Sequence, residues 1–414
     1  MYFFHEFLQV LQVRRFLTQN LDYPRRNQRY SLAQMILALV YPLVSAGPGS
    51  PRNRVIPTFQ RYLSIFDCSA KLPRSQTLRR FLLQAPDSFL RQMHRANDRL
   101  LQNFIHLPSH RSRLILDLDS TVVTVFGRQE NAEVGYNPRY RGKGSYNPLL
   151  CIEANSSYLW DTELRPGNAG TWDAGVELMA TCFVNVPRDI REIRVRADAG
   201  FGFNPVLEIL EARSTQYAVV ARLTQAFKRL LPGLRYESVN RQWEMAEYEY
   251  RPHGWPKARR FVVARRFIPG EEPESTLFTL GRYMYRAWVT NMNLTPAGIW
   301  HFYDGRAGME PRICELREDF ALRKIPTASF AANALYLEVI RLAYNLVTAF
   351  QRICLQESWQ NLTLGRLRYK LFLLPSELTR PQNRPVLRLK ESLMLRNLVD
   401  EMLSKISGLE SLQT

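Results

Sequence analysis

Residues 114–121 read Leu-Ile-Leu-Asp-Leu-Asp-Ser-Thr, an apolar run that carries two acidic side chains. A run of this length that ends in small hydroxyl residues is typical of a buried strand. Side chains two residues apart on a strand face the same way, so Asp117 and Asp119 are expected to project together. Carboxylates in a buried strand require neutralisation, and a divalent cation is the expected counter-charge. An aspartate that caps the turn after a strand is the alternative interpretation.

The segments that follow this run predict an α/β protein. Strands and helices are predicted in the order strand 114–126, strand 149–163, helix 173–183, strand 190–197, helix 204–213 and strand 217–221. Two strands followed by alternating helices and strands predict a mixed sheet with helices on its faces. Functional groups in such sheets gather at strand ends, where Asp119 and Asp198 both lie. We therefore expect these two aspartates to converge.

Residues 230–290 have a different pattern, in which aromatic and charged side chains alternate. Runs of this kind occupy residues 243–250, 259–267 and 283–290. They predict hairpin strands of an inserted β module with one basic side, and no helix.

A late helical region is predicted to begin at Thr295, a cap residue followed by proline. Four polar residues share the spacing of one helix face: Tyr303, Arg306, Glu310 and Arg317. On a single continuous helix these residues would form one stripe. Pro311 leaves a second interpretation open, in which a new helix begins there with Glu310 at its cap. A long apolar helix over 329–353 and a basic tail from residue 365 follow.

The charge of the chain favours a polyanionic partner, with nucleic acid as the leading candidate. The 414 residues contain 56 Lys and Arg against 38 Asp and Glu, a formal net charge of +18. Residues 1–110 alone hold 15 basic and 5 acidic side chains, a net charge of 15 − 5 = +10. In this part, Ser75 is predicted to cap a helix on which Arg79 and Arg80 either meet DNA or form an ordinary solvated face.

The sequence also argues against several other classes of protein. Five scattered cysteines without a C-x-x-C pair argue against a disulfide framework or a zinc ribbon, and predict a reducing cytoplasm. The most apolar stretch, 31–46, is too short to span a membrane. The first residues lack the basic start and the small-residue cleavage site of a signal peptide, so export is not expected. His106 and His110 have metal-like spacing, but Pro108 interrupts them and no cysteine lies near, so a structural role is expected.

Three acids in chain order, Asp119, Asp198 and Glu310, suit a two-metal phosphodiester site, because Mg²⁺ prefers oxygen ligands and a metal pair stabilises the entering and leaving oxygens. The motifs around them are Asp119-Ser-Thr121, Arg196-Ala-Asp198-Ala-Gly-Phe201 and the Tyr-x-x-Arg-x-x-x-Glu spacing that ends at Glu310. With these motifs, and with Arg165-Pro-Gly-Asn168, the sequence resembles the DDE transposases of bacterial insertion sequences, in the group with a β insertion before the glutamate. The resemblance extends over roughly residues 30–390.

The resemblance implies a ribonuclease-H-like catalytic fold that uses two Mg²⁺ ions, for which Mn²⁺ can substitute. It implies Asp119, Asp198 and Glu310 as catalytic residues and metal ligands, with Asp119 preferred over Asp117 because Ser-Thr follows it. Tyr303, Arg306 and Arg317 would contact DNA phosphate, although the family usually has Lys where this chain has Arg317. Trp288, in the β insertion, is the candidate to stack on a base turned out of the duplex. Trp243 and Trp255 are rival candidates, and a core role is the alternative because a Trp on an alternating strand is more often buried.

The implied partners are the inverted terminal repeats of a mobile element and its target DNA, bound by a homodimer in the cytoplasm at the nucleoid. The expected division is a helical basic DNA-binding region (1–110), a catalytic domain in two parts (111–222 and 291–355), the β insertion (223–290) and a basic helical C-terminal region (356–414). Two alternatives remain open: a DNA-binding protein derived from such an enzyme with cleavage lost, and a nuclease on the same fold.

Overall fold

The computed structural model describes residues 1–25, 28–46, 73–107, 109–184, 186–270, 279–379, 381–383, 386–389 and 393–410. The helices before the sheet are α1 Tyr2–Val10, α2 Val13–Asn20, α3 Leu32–Ser45, α4 Ser75–Gln84 and α5 Asp87–Phe104. The first part of the sheet region contains β1 Arg113–Ser120, β2 Val123–Thr124, β3 Glu133–Val134, β4 Gly144–Tyr146, β5 Leu149–Glu153, β6 Leu159–Glu163, α6 Thr171–Val184, β7 Glu192–Ala197, α7 Asn204–Ala212 and β8 Gln216–Val220.

The second half begins with a short helix and the strands of the predicted insertion: α8 Gln225–Leu230, β9 Glu237–Ser238, β10 Trp243–Tyr250, β11 Arg259–Phe267, β12 Thr279–Leu280 and β13 Tyr283–Thr290. The remaining elements are α9 Pro296–Asp304, α10 Met309–Glu318, α11 Phe330–Cys354, α12 Glu357–Gln360, α13 Leu364–Leu367, β14 Ser376–Thr379, β15 Val386–Leu389 and α14 Leu393–Glu410. A 3₁₀ turn, Leu231–Gly233, lies where no helix was predicted.

The central sheet has the predicted mixed topology. Its first five strands lie in the order β6-β5-β1-β7-β8, with β1, β7 and β8 parallel and with β5 and β6 antiparallel to their neighbours. This order and these directions are those of the ribonuclease-H-like fold. The last pair of the β1–β7 register joins Leu118 to Ala197, so Asp119 and Asp198 are the next residues of two adjacent strands.

Two predicted strands are shorter than expected. The run 114–126 ends as a strand at Ser120, and β2 belongs to a separate three-stranded sheet of order β2-β4-β3. The run 149–163 is a hairpin of β5 and β6 rather than one strand. In both cases an apolar run continues through a turn, which hydrophobic pattern alone does not reveal.

The insertion strands extend the central sheet. Strand β13 pairs antiparallel with β8, and β11, β10 and β9 follow outward from it. Residues Ala218–Val220 of β8 face Thr290–Trp288 of β13 in this pairing. The ten-stranded sheet therefore contains both the first five strands and the strands of the predicted insertion.

Helix α11 organises the layer of helices on the sheet. It runs almost wholly buried over Phe330–Cys354, close to the predicted 329–353, and Ser329 caps its start. The N-terminal helices α1, α3 and α5 and the C-terminal helix α14 pack against it, and one hydrophobic core joins these helices to the sheet. Within the described residues, no helix is long and apolar enough to cross a membrane.

Candidate active site

The centre of the candidate site is the edge where β1 and β7 end. The Asp119 carboxylate accepts a hydrogen bond from the backbone N–H of Ser120 (2.8 Å), and that of Asp198 accepts one from the N–H of Gly200 (2.9 Å). Burial raises the pKa of Asp119 to about 6, with Arg306 opposing the shift and the charge of Asp198 adding to it. The two strand ends therefore bring two carboxylates within electrostatic reach of each other, as predicted.

Asp117 has a different environment from Asp119. It is buried, and Arg196 donates two hydrogen bonds to its carboxylate, from Nε to Oδ1 (2.6 Å) and from Nη2 to Oδ2 (2.8 Å). The expectation that Asp117 and Asp119 share a cation as counter-charge is therefore wrong for Asp117. Its partner is the guanidinium of the residue that faces it across the β1–β7 pairing.

Arg196 also holds helix α9 against the sheet. Its Nη1 donates to the carbonyl of Phe302 (2.8 Å), near the end of that helix. A Cβ atom at Gly305 would lie 2.2 Å from the same Nη1, so the close approach requires glycine at that position.

Arg306 pairs with the outer aspartate. Its Nη2 lies 2.8 Å from Oδ2 of Asp119 and donates to the carbonyl of Leu118 at 2.9 Å. Tyr303 is close by: burial raises its pKa, with Arg306 opposing and Asp198 and Asp119 adding to the shift. Both predicted DNA-contacting residues therefore lie at the acidic edge, where Arg306 is engaged by Asp119.

The prediction that the Tyr303-to-Arg317 stripe lies on one continuous α-helix is wrong. Helix α9 ends at Asp304, a 3₁₀ turn spans Gly305–Gly308, and α10 begins at Met309. The two glycines and Pro311 explain the break, and the alternative of a new helix near Pro311 is close to the observed one. Glu310 lies in the first turn of α10 rather than at its cap.

Glu310 is exposed and does not join the two aspartates in this structure. Among the described residues, one trio of potential ligands has its atoms within 4.8 Å of one another, and that trio is His106, His110 and Asp189. The two histidine rings stack at 4.8 Å and both direct Nε2 at Oδ2 of Asp189. The spacing of His106 and His110 thus reflects real proximity, while the three predicted acids are not at ligand distance.

Arg317 lies seven residues after Glu310 on the same helix and is half-buried. The two acids that follow it in the chain are engaged elsewhere: Glu318 pairs with Arg323, and Asp319 with Arg368. The buried Nε of Arg317 has no hydrogen-bond partner within the described chain. Burial lowers its pKa, and neighbouring Arg323 contributes in the same direction.

Trp288 does not have the exposure that base stacking requires. The side chain is 1 % exposed and packs against Trp300 and Tyr303, with ring centroids 6.5 and 5.8 Å away. The ring of Trp288 packs against α9, which carries Trp300 and Tyr303. The predicted contact with an extruded base is therefore wrong, and Trp288 is a core residue. Arg79 and Arg80, by contrast, are exposed on α4 while Leu78 is buried. Both interpretations of that basic face therefore remain.

Arg165, to which no individual role was predicted, lies close enough to the acidic edge for the charge of Asp198 to act on it. The residue is 2 % exposed, and it donates from Nε to Asn147 O (3.0 Å) and from Nη1 to Gly170 O (2.8 Å). Burial lowers its pKa, although Glu163 and Asp198 oppose this shift. The buried Nη2 has no partner in the described part of the chain. The one feature of the sequence that could have identified Arg165 is the Arg165-Pro-Gly-Asn168 motif.

The ribonuclease-H-like sheet and its paired strand-end aspartates define the class: an α/β enzyme fold with an acidic site at the carboxyl ends of parallel strands. Residues 1–411 match the family model described as transposase DDE domain group 1, so the chain belongs to this family of DNA transposases.

Solved transposase structures show weak similarity. The chain is similar over its whole length, at 13 % identity and a TM-score of 0.43, to 81 % of the piggyBac transposase in a synaptic complex with hairpin DNA. Half of it is similar, at 11 % identity and a TM-score of 0.23, to 43 % of the Drosophila P element transposase in a strand transfer complex. The third structure is the Mos1 transposase in a paired-end complex. Here 47 % of this chain is similar to 60 % of the Mos1 chain, at 12 % identity and a TM-score of 0.18. No curated protein matches the chain.

Proposed function

We propose that this transposase binds the inverted terminal repeats of a mobile element, cleaves a strand there and joins the freed 3′ hydroxyl to target DNA, with Asp119, Asp198 and Glu310 as the catalytic acids. The observation that carries the proposal is the placement of Asp119 and Asp198 at the ends of adjacent parallel strands. Asp119 and Asp198 each accept a backbone N–H at one carboxylate oxygen, Oδ1. The other oxygen of Asp119 pairs with Arg306, so a metal ion bound there would share this oxygen with the guanidinium or displace it.

The donor chemistry of this edge fits two Mg²⁺ ions, with Mn²⁺ as a substitute. Carboxylate oxygens are the ligands that Mg²⁺ prefers, and the raised pKa of Asp119 indicates a site where a further positive charge would be favourable. Asp119 and Asp198 would hold the ions from the sheet, and Glu310 from the first turn of α10. Bound there, the ions would supply activation of the attacking oxygen and stabilisation of the leaving oxygen.

The chain's own cations would position the DNA strand. Arg306 and Tyr303 lie beside Asp119, so a phosphate at the acidic edge would meet a guanidinium and a phenol. Arg317 extends this line of positive charge along α10. On two DNA ends the protein would act as a homodimer, which light scattering of the protein with and without end DNA tests.

Cleavage of end DNA by the purified full chain tests the proposal. With Mg²⁺ or Mn²⁺, wild type is expected to nick duplexes that carry the element's terminal repeat. Asp119→Asn, Asp198→Asn and Glu310→Gln are each expected to abolish nicking while end binding is retained, because these acids hold metal rather than DNA. Asp304→Asn, at an exposed acid between Tyr303 and Glu310, is the matched control and should nick normally. Normal nicking by all three variants would overturn the proposal.

Two observations favour a second candidate, a DNA-binding protein that has lost cleavage. Arg306 engages Asp119, and Glu310 lies outside ligand distance of the aspartates. The same assay separates the two functions, because this candidate predicts that wild type binds the ends and leaves them intact with either metal.

A further inference from the structure

The small sheet β2-β4-β3 and its loops carry an unusual concentration of exposed aromatic rings. Phe126 is 73 % exposed, Tyr136 81 % and Tyr140 39 %, and the rings of Phe126 and Tyr140 meet edge to face at 5.4 Å. Four exposed cations lie among them: Arg128, Arg139, Arg141 and Lys143. We name these seven residues the aromatic platform. Large exposed rings of this kind, set among charges, mark an interaction surface.

Close backbone contacts hold the platform in place. A Cβ atom at Gly135 would lie 1.8 Å from the carbonyl oxygen of Gly167, and one at Gly144 would lie 2.4 Å from that of Ala132. The Tyr146 hydroxyl also donates to the carbonyl of Glu130 (2.6 Å). The exposed rings are therefore mounted on a tightly packed base, and glycine is required where the backbones touch.

The platform adjoins the acidic edge. It is inserted between β1, whose end carries Asp119, and β5, which pairs with β1, and the N–H of Thr121 donates to Pro148 O (3.1 Å) where the insertion closes. Arg139 of the platform is also close enough to Arg317 for its charge to act on that residue. The platform thus adjoins the end of β1 and lies within electrostatic reach of Arg317 on α10.

The chemistry of the platform selects one kind of partner. None of its four cations forms an ion pair within the described residues, and Arg139 lies 5.6 Å from the centroid of the Tyr140 ring, so all four charges are available to phosphate. Exposed rings stack on the faces of bases, but in duplex DNA those faces are already covered by neighbouring base pairs. A strand with unpaired bases offers both its phosphates and its base faces to such a surface.

We propose that the aromatic platform binds an unpaired stretch of DNA strand next to the cleavage site, with bases stacked on Phe126 and Tyr136 and phosphates held by the neighbouring arginines. This inference rests on the proposed function for the identity of the nucleic acid. It assigns to this surface the stacking role that the burial of Trp288 rules out for that residue.

The experiment compares binding of the full chain to a fluorescent single-stranded oligonucleotide and to the same sequence as a duplex. Phe126→Ala and Tyr136→Ala are each expected to weaken single-strand binding about tenfold, while duplex binding changes less than about twofold. Phe126→Tyr should retain wild-type affinity. Tyr369→Ala, at a tyrosine 84 % exposed near the C-terminal hairpin, is the matched control and should leave both affinities unchanged.

Three outcomes would overturn the inference: unchanged single-strand binding by the alanine variants, an equal loss on both DNAs, or a dimer of the free protein that the variants convert to monomer. The last would make the platform a contact between two copies of the chain. The readout is separate from cleavage. If wild type fails to cut end DNA but the alanine variants lose single-strand binding selectively, only the proposed function fails. If wild type cuts end DNA and the alanine variants bind single strands as tightly as wild type, only this inference fails.

Discussion

At the scale of single residues, the two aspartates of the first strand have separate partners and therefore separate roles. Asp117→Asn would leave Arg196 buried without its counter-ion, which is expected to cost roughly 3–5 kcal/mol of the free energy of unfolding. Asp119→Asn should abolish nicking at a much smaller cost, because that side chain is partly exposed. Urea unfolding and the end-nicking assay measure the two effects, and an Asp117→Asn variant as stable as wild type would contradict the assignment.

Arg317 provides a second test at this scale. Because its buried Nε lacks a partner in the described chain, we expect the guanidinium to meet a DNA phosphate. Arg317→Ala should weaken binding to specific and non-specific DNA alike, and lower the slope of log affinity against log salt by about one unit. Arg323→Ala, at a residue already paired with Glu318, is the control. An unchanged slope for Arg317→Ala would argue against the phosphate contact.

At the scale of elements, the turn between α9 and α10 depends on one glycine. A methyl group at Gly305 would displace the guanidinium of Arg196, whose two ends are held by Asp117 and the Phe302 carbonyl. Gly305→Ala is therefore expected to lose about 1–3 kcal/mol of stability and most nicking activity. In Gly308→Ala the new Cβ meets nothing within 4 Å, so stability and activity should stay near wild type. Equal behaviour of the two variants in thermal unfolding and nicking would refute this view of the turn.

At the scale of the whole molecule, a buried ionic cluster joins the N-terminal helices to the sheet and to α11. Its members are His94 and Asp98 of α5, Asp161 of β6, and Glu338 and Arg341 of α11. Burial disfavours the charged imidazole, but Glu338 and Asp161 outweigh it and raise the pKa of His94 to about 9. The cluster thus couples the docking of the helical layer to protonation of one ring.

The sign of the pH dependence follows from that shift. A histidine with its pKa raised from about 6.5 to about 9 on folding stabilises the protein fully below pH 6.5, and this contribution is lost as the pH rises through 9. His94→Gln should therefore cost roughly 2–3 kcal/mol at pH 6 and much less at pH 9.5, measured by urea unfolding across that range. His301→Gln, at an exposed histidine, is the control. A pH-independent cost for His94→Gln would count against the cluster.

What the sequence determined by itself is local. The apolar run from residue 114, the Thr295 cap and the apolar stretch 329–353 each predicted an element that the structure contains, because a strand or a helix depends on neighbours in the chain. The order of strands and helices also implied the mixed sheet, and the two strand-end aspartates implied where its acidic edge would lie.

Only the tertiary structure decided which groups meet. Asp117 takes Arg196 as its partner across a separation of 79 residues, and that choice depends on the register of two strands. Register likewise joins the insertion to the central sheet and turns Trp288 into the core, while two glycines and Pro311 divide the helix that was predicted to carry Glu310. Each outcome is set by packing between distant segments, and spacing along the chain does not encode it.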